Sequence, residues 1–120
     1  MSKKTLVLGA SHKPDRYSYR AVKKLLAYKH EVVAIGLREA NIETVQIQKG
    51  QPKLEGIHTV TLYMNPTNQE QFLDYIIDLE PQRIIFNPGT WNPKLEKMAR
   101  AAGIETEEDC TLVMLNAGLY

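Results

Sequence analysis

The sequence predicts a single α/β domain, doubly wound, with a mostly parallel sheet of about five strands, and three observations carry that reading. Short apolar runs such as Thr5-Leu6-Val7-Leu8 and Ile84-Ile85-Phe86 end at turn-forming residues. Between them, apolar residues recur at helical spacing. The two patterns alternate along the chain, which implies parallel strands joined by right-handed crossovers with helices on both faces.

The elements follow in order. Thr5 to Leu8 is a buried strand closed by Gly9. A turn-rich loop, Gly9 to Asp15, leads into a helix whose apolar face is Ser18, Ala21, Val22, Leu25 and Leu26. Glu31 to Ile35 is the second strand, ended by Gly36. From Leu37 to Gly56 the pattern weakens, although Glu43 to Ile47 alternates as a short strand would. His58 to Met64 is β-branched and aromatic, and Asn65-Pro66 ends it. Thr67 and Glu70 have the spacing of a capping box ahead of Phe72, Leu73, Ile76 and Ile77. After Pro81, Arg83 to Phe86 forms another strand and Asn87-Pro88-Gly89-Thr90 the next turn. Asn92-Pro93 starts a helix on Leu95, Met98, Ala99 and Ala102, stopped by Gly103. Ile104 to Thr106 suits an edge strand, and Glu107-Glu108-Asp109 places negative charge ahead of a last helix from Cys110 to Leu115.

Composition narrows the function. The 120 residues fit one domain, 1–120, and the hydrophobic share of 43% excludes a disordered chain. A net charge of +1 gives no global field for nucleic acid or anionic lipid, so any anion site must be local. One cysteine cannot form an internal disulfide, the opening residues carry no secretory signal, and no apolar stretch nears the roughly 20 residues of a bilayer span. These point to a cytoplasmic protein that engages neither membrane nor nucleic acid. Neither His nor Cys is clustered as metal ligands are.

In such a sheet ligands bind beyond the carboxyl ends of the strands, which selects the loops starting at Gly9, Gly36, Met64 and Asn87. Gly9 lets backbone approach a ligand, and the helix after it offers free amides to a phosphate. Ser11, His12, Lys13 and Arg16 add donors and cations there. Neither G-x-G-x-x-G nor G-x-x-x-x-G-K-[ST] is present, so a P-loop NTPase is not expected. After the second strand stands Arg38, which suits a phosphorylated ribose better than a bare one and leaves NADP or coenzyme A open.

The run Leu8-Gly9-Ala10-Ser11-His12-Lys13-Pro14-Asp15-Arg16-Tyr17-Ser18, the Val33 strand, Asn87-Pro88-Gly89 and Gly103-Ile104 leading to Cys110 together resemble the stand-alone CoA-binding domain family. That family shares its fold with the CoA-binding part of the succinyl-CoA synthetase α subunit. The resemblance implies a Rossmann-like domain that binds coenzyme A or an acyl-CoA, its diphosphate over the first loop. It places ligand contacts at Gly9, Ala10, Ser11, Lys13 and Arg16, with His12 and Ser18 beside them, and at Asn87, Pro88, Gly89 and Thr90. Gly36 and Arg38, with Asn65 and Pro66, complete the candidate set at the other strand ends. The family's Pro-Val-Asn-Pro type segment is replaced here by Ala34-Ile35-Gly36-Leu37-Arg38, so the resemblance does not say how the adenosine end is held.

No nucleophile and base stand at a recognisable spacing, so the expectation is a binding protein without catalysis of its own. The alternatives are an NADP-dependent reductase or CoA-thioester hydrolase using His12 or Cys110, and a regulatory module that senses CoA for a protein partner. Cys110 reads either as a small buried hydrophobe or as a thiol facing the pantetheine. An exposed sheet edge would also allow a homodimer.

Overall fold

The computed structural model describes residues 2–120; Met1, the first residue of the expected domain, lies outside them. Seven strands form one sheet in the order β3-β4-β2-β1-β5-β6-β7, all parallel except β3. They are β1 (Thr5–Ala10), β2 (Val32–Gly36), β3 (Ala40–Ile42), β4 (Val45–Gln48), β5 (Thr59–Leu62), β6 (Arg83–Phe86) and β7 (Glu105–Glu108). The doubly wound α/β class therefore holds, with seven strands instead of about five. The extra strands come from the weakly patterned stretch after Gly36. The alternation at Glu43 to Ile47 belongs to a hairpin, with Glu43 at φ 52° in its turn and β3 pairing antiparallel to β4. Its strands are three and four residues long and bury only alternate side chains, so periodicity shows one short strand there and not the pair.

The helices are α1 (Tyr17–Ala27), α2 (Pro66–Gln69), α3 (Leu73–Asp78), α4 (Pro93–Ala101) and α5 (Thr111–Asn116). Each sheet face has its own core. On one, Val7, Ala34 and Ile47 meet Val22 and Leu25 of α1 and Leu115 of α5. On the other, Leu6, Leu8, Val60, Leu62, Ile84 and Phe86 meet Leu73 and Ile76 of α3 and Leu95 and Ala99 of α4. The link from β4 to β5 contains no helix; Leu54 and Ile57 pack it against this second face.

Two local expectations change. Asn65, not Thr67, caps α2: its side chain accepts the Asn68 amide at 2.9 Å, and Pro66 takes the first helical position, where a missing amide costs nothing. The helix beyond is also split by a 3₁₀ turn, Glu70–Phe72. In a 3₁₀ turn residues three apart eclipse, which lets Gln69 and Phe72 both point inward.

Near the amino ends of the strands, polar groups are buried under the carboxyl-terminal segment. Arg83 Nε donates to Thr59 Oγ1 at 3.1 Å, its guanidinium lies 4.5 Å from the Tyr120 ring centre, and the Tyr120 hydroxyl bonds Thr5. His30 packs on the same ring, and its Nδ1 accepts the Lys3 amide at 3.0 Å, a role only the unprotonated nitrogen fills. Burial, then the Lys3 charge, holds the His30 pKa below the usual imidazole value, and burial followed by Arg83 does the same to His58.

In the unfolded chain these rings protonate near pH 6.5, whereas the folded protein resists the proton. Their contribution to stability is therefore present above about pH 6.5 and is lost as pH falls through that value toward the lower folded pKa. Urea unfolding at about pH 7.5 and about pH 5.5 checks this. Wild-type protein should lose more stability on acidification than His30→Gln, and equal losses would refute the coupling.

Candidate functional site

The sheet order puts the topological switch point between β1 and β5. From β1 the chain moves outward through β2 to the β3–β4 hairpin, then returns to the other side of β1 and continues through β5, β6 and β7. Crossovers that leave in opposite directions open a crevice at the carboxyl ends of β1 and β5. Backbones come very close there. Gly9 has φ +99°, and a Cβ on it would lie 2.8 Å from the Tyr63 carbonyl carbon. A Cβ on Gly36 would lie 2.2 Å from the Ala10 oxygen. Neither position has room for a side chain.

The loop after β1 turns on itself through the Lys13 amide to Ser11 Oγ at 3.2 Å and the Arg16 amide to the Lys13 oxygen at 3.0 Å. It enters α1 at Arg16, whose extended backbone caps the helix without any side-chain hydrogen bond, and no acid stands in the first turn. The leading amides of an eleven-residue helix thus face the crevice with their positive dipole end unneutralised by a capping carboxylate.

Two clefts meet at this point. The larger, about 650 Å³, lies over the carboxyl ends of β1, β2 and β4, and the smaller, about 250 Å³, lies toward β6. Gly9, Ser11, Arg16 and Tyr63 line both and form the neck between them. The larger cleft is lined by four cations, Lys13, Arg16, Arg38 and Lys49, and by no Asp or Glu. Among the described residues none of the four is in an ion pair. A chain of net charge +1 thus concentrates uncompensated positive charge at one mouth.

Residues 3–116 match the family described as CoA binding domain. The chain belongs to that family. The CoA-binding domain here is similar to a crystal structure of an uncharacterised protein, 44% identical, with TM-score 0.97, covering 100% of this chain and 99% of that one. It shares its fold with a cell-free protein from Thermus thermophilus at 20% identity and TM-score 0.86, covering 99% and 91% of the two chains. A hypothetical protein from Pyrococcus horikoshii OT3, at 22% identity and TM-score 0.86, is matched over 98% of this chain and 84% of its own. No curated protein matches the sequence.

Within this CoA-binding domain the structure gathers Gly9, Ala10, Ser11, His12, Lys13, Arg16, Gly36, Arg38 and Asn65 around the larger cleft. Ser18, Pro88 and Thr90 line the smaller one. Pro66, Gly89 and Asn87 line neither. Asn87 is buried, and its side chain serves the framework: Nδ2 donates to Thr61 Oγ1 at 2.7 Å and to the Leu62 oxygen at 2.8 Å, while Oδ1 accepts the Thr111 amide at 2.9 Å. A second buried amide works in the same way. Gln69 Nε2 donates to the oxygens of Met64 and Thr90, and its Oε1 accepts from Asn92 Nδ2. The two side chains lock the loops after β5 and β6 to each other and to α4 and α5.

Sequence reasoning missed Lys49, Gln51 and Phe72 as lining residues. Lys49 directly follows β4, so the strand-end rule would have found it once Val45–Gln48 was placed in the sheet. Burial pushes the Tyr63 hydroxyl far above the usual phenol range, and it stays protonated. Cys110, half-buried at the amino end of α5, lines neither cleft.

Gly36→Ala should destabilise the protein by about 1–3 kcal/mol, the usual cost of forcing an extra carbon into packed structure. Asn87→Ala leaves the Thr111 amide and the Leu62 oxygen without this partner, and about 3 kcal/mol should be lost. Chemical denaturation measures both, and wild-type stability in either variant would contradict the assigned role.

Proposed function

We propose that this protein binds coenzyme A, or an acyl-CoA, with the diphosphate at the neck between the clefts. There the backbone of Gly9 to Lys13, the amino end of α1 and Arg16 supply amide donors and a cation to the phosphates. The nucleotide occupies the larger, cationic cleft, and the pantetheine arm leaves through the smaller one past Ser18, Pro88 and Thr90. The observation that carries this reading is an acid-free cleft with four unpaired cations at the switch point of a chain that belongs to the CoA binding domain family.

A nucleotide with two phosphates in its bridge and a third on its ribose offers enough negative charge to engage all four. A ligand with a bare ribose leaves some of those cations unanswered. The proposal includes binding without catalysis, in the cytoplasm. In support of the non-catalytic part, His12 is exposed and, among the described residues, makes no hydrogen bond to a nucleophile or carboxylate, while Cys110 stands outside both clefts.

Isothermal titration with CoA, NADPH and NADH tests the reading: saturable CoA binding is expected, and saturable NADPH binding with none of CoA would overturn it. Arg16→Ala should weaken CoA by about 1.5 kcal/mol, roughly tenfold, the worth of one charge-assisted hydrogen bond. It should weaken dephospho-CoA to the same degree, because both ligands keep the diphosphate.

A further inference from the structure

We infer that Lys49, on the loop after β4, is the residue by which this chain selects a ligand phosphorylated on its ribose, acting with Arg38 across the end of the larger cleft. The inference rests on the coenzyme A reading and assigns the specificity of that same site.

Strand register carries it. Ala10 pairs with Gly36, and Ile35 pairs with Gln48, so the next position along β4 brings Lys49 level with Gly36. Ala10, Gly36 and Lys49 therefore stand in a row across three adjacent parallel strands. Two strand spacings of about 4.8 Å put Lys49 roughly 10 Å from the loop that would hold the diphosphate. In coenzyme A one furanose ring separates the diphosphate from the ribose phosphate. A ribose over Gly36, which lines the cleft, sets that phosphate between Arg38 and Lys49.

The Lys49 loop is also held in place. Gln51 Nε2 donates to the Gln71 oxygen at 2.7 Å, and the Tyr75 hydroxyl donates to the Pro52 oxygen at 2.5 Å. These bonds tie the segment to the helical layer across the cleft, so the cation is presented by an anchored turn. Lys49 makes no ion pair among the described residues that a ligand would have to break. A compact ammonium suits a terminal phosphate dianion, and the neighbouring guanidinium of Arg38 adds a planar pair of donors.

Binding of CoA and dephospho-CoA to wild-type protein, Lys49→Gln and Lys49→Glu, measured by isothermal titration, tests the assignment. Wild-type protein should prefer CoA about tenfold or more, Lys49→Gln should lose most of that preference, and Lys49→Glu should abolish it. Dephospho-CoA affinity should stay within about twofold in Lys49→Gln, and the melting temperature should not change, since the side chain is exposed. Wild-type protein that binds both ligands equally overturns the inference and leaves the coenzyme A reading standing. So do variants that keep the wild-type preference or lose both ligands alike. Wild-type protein that binds neither ligand overturns the reading itself, and the inference with it.

Discussion

Backbone crowding where β1 and β2 end holds the rest of the structure to its shape. A Cβ at Gly9 would run into Tyr63, and one at Gly36 would run into Ala10, so three strands approach there as closely as bare backbone permits. That approach fixes the relative height of the strand ends. It lies at the one place in a doubly wound sheet where crossovers diverge and a crevice opens. The loop after β1 and the first turn of α1 inherit their position from it. A ligand diphosphate needs donors spaced to within a fraction of an ångström, and only a rigid backbone platform provides that.

The crevice would still be loose without its supports. Asn87 and Gln69 are polar residues in buried positions, and each has its amide fully engaged. Buried amides are stabilising only when their partners are present; those of Gln69 include the oxygens of Met64 and Thr90, which border the clefts, and those of Asn87 are Thr61, Leu62 and Thr111. The walls are therefore set by hydrogen bonds whose loss would leave several groups unsatisfied together. Thr90 shows the economy of this arrangement: its hydroxyl donates to the Asn87 oxygen, its oxygen accepts from Gln69, and the residue itself lines the smaller cleft.

Charge acts on a different scale. The whole chain is nearly neutral, yet the larger cleft holds four cations and no acid. Screening over a Debye length of about 8 Å at physiological salt means that distant carboxylates do little to offset such a cluster. Asp15 and Glu39 neighbour Arg16 and Arg38 along the chain but line neither cleft and pair with none of the four cations, whereas in β7 Glu107 lies 3.7 Å from the buried Arg83. The protein thus combines a weak overall field with a strong local one, which suits a small, highly charged ligand better than an extended polyanion.

The sequence by itself determined the alternation of strands and helices, the caps at Asn92-Pro93, and the cationic loop after β1. Those features depend on neighbours within a few residues, where periodicity and turn chemistry act directly. Of the hairpin Ala40–Gln48 only the alternation at Glu43 to Ile47 was legible, because strands of three and four residues draw their stability from pairing, β4 with β2 and β3 with β4, more than from their own pattern. The cap at Asn65 and the 3₁₀ break after Gln69 escaped for a related reason: a buried glutamine is acceptable only where carbonyls from β5 and from the β6 loop converge on it. The residues of the candidate site divide in the same way. Lys13 and Arg16 could be read from their place in one loop, whereas Lys49 joined them only through strand register, because cations separated by tens of residues share a cleft only when the sheet brings their strands side by side.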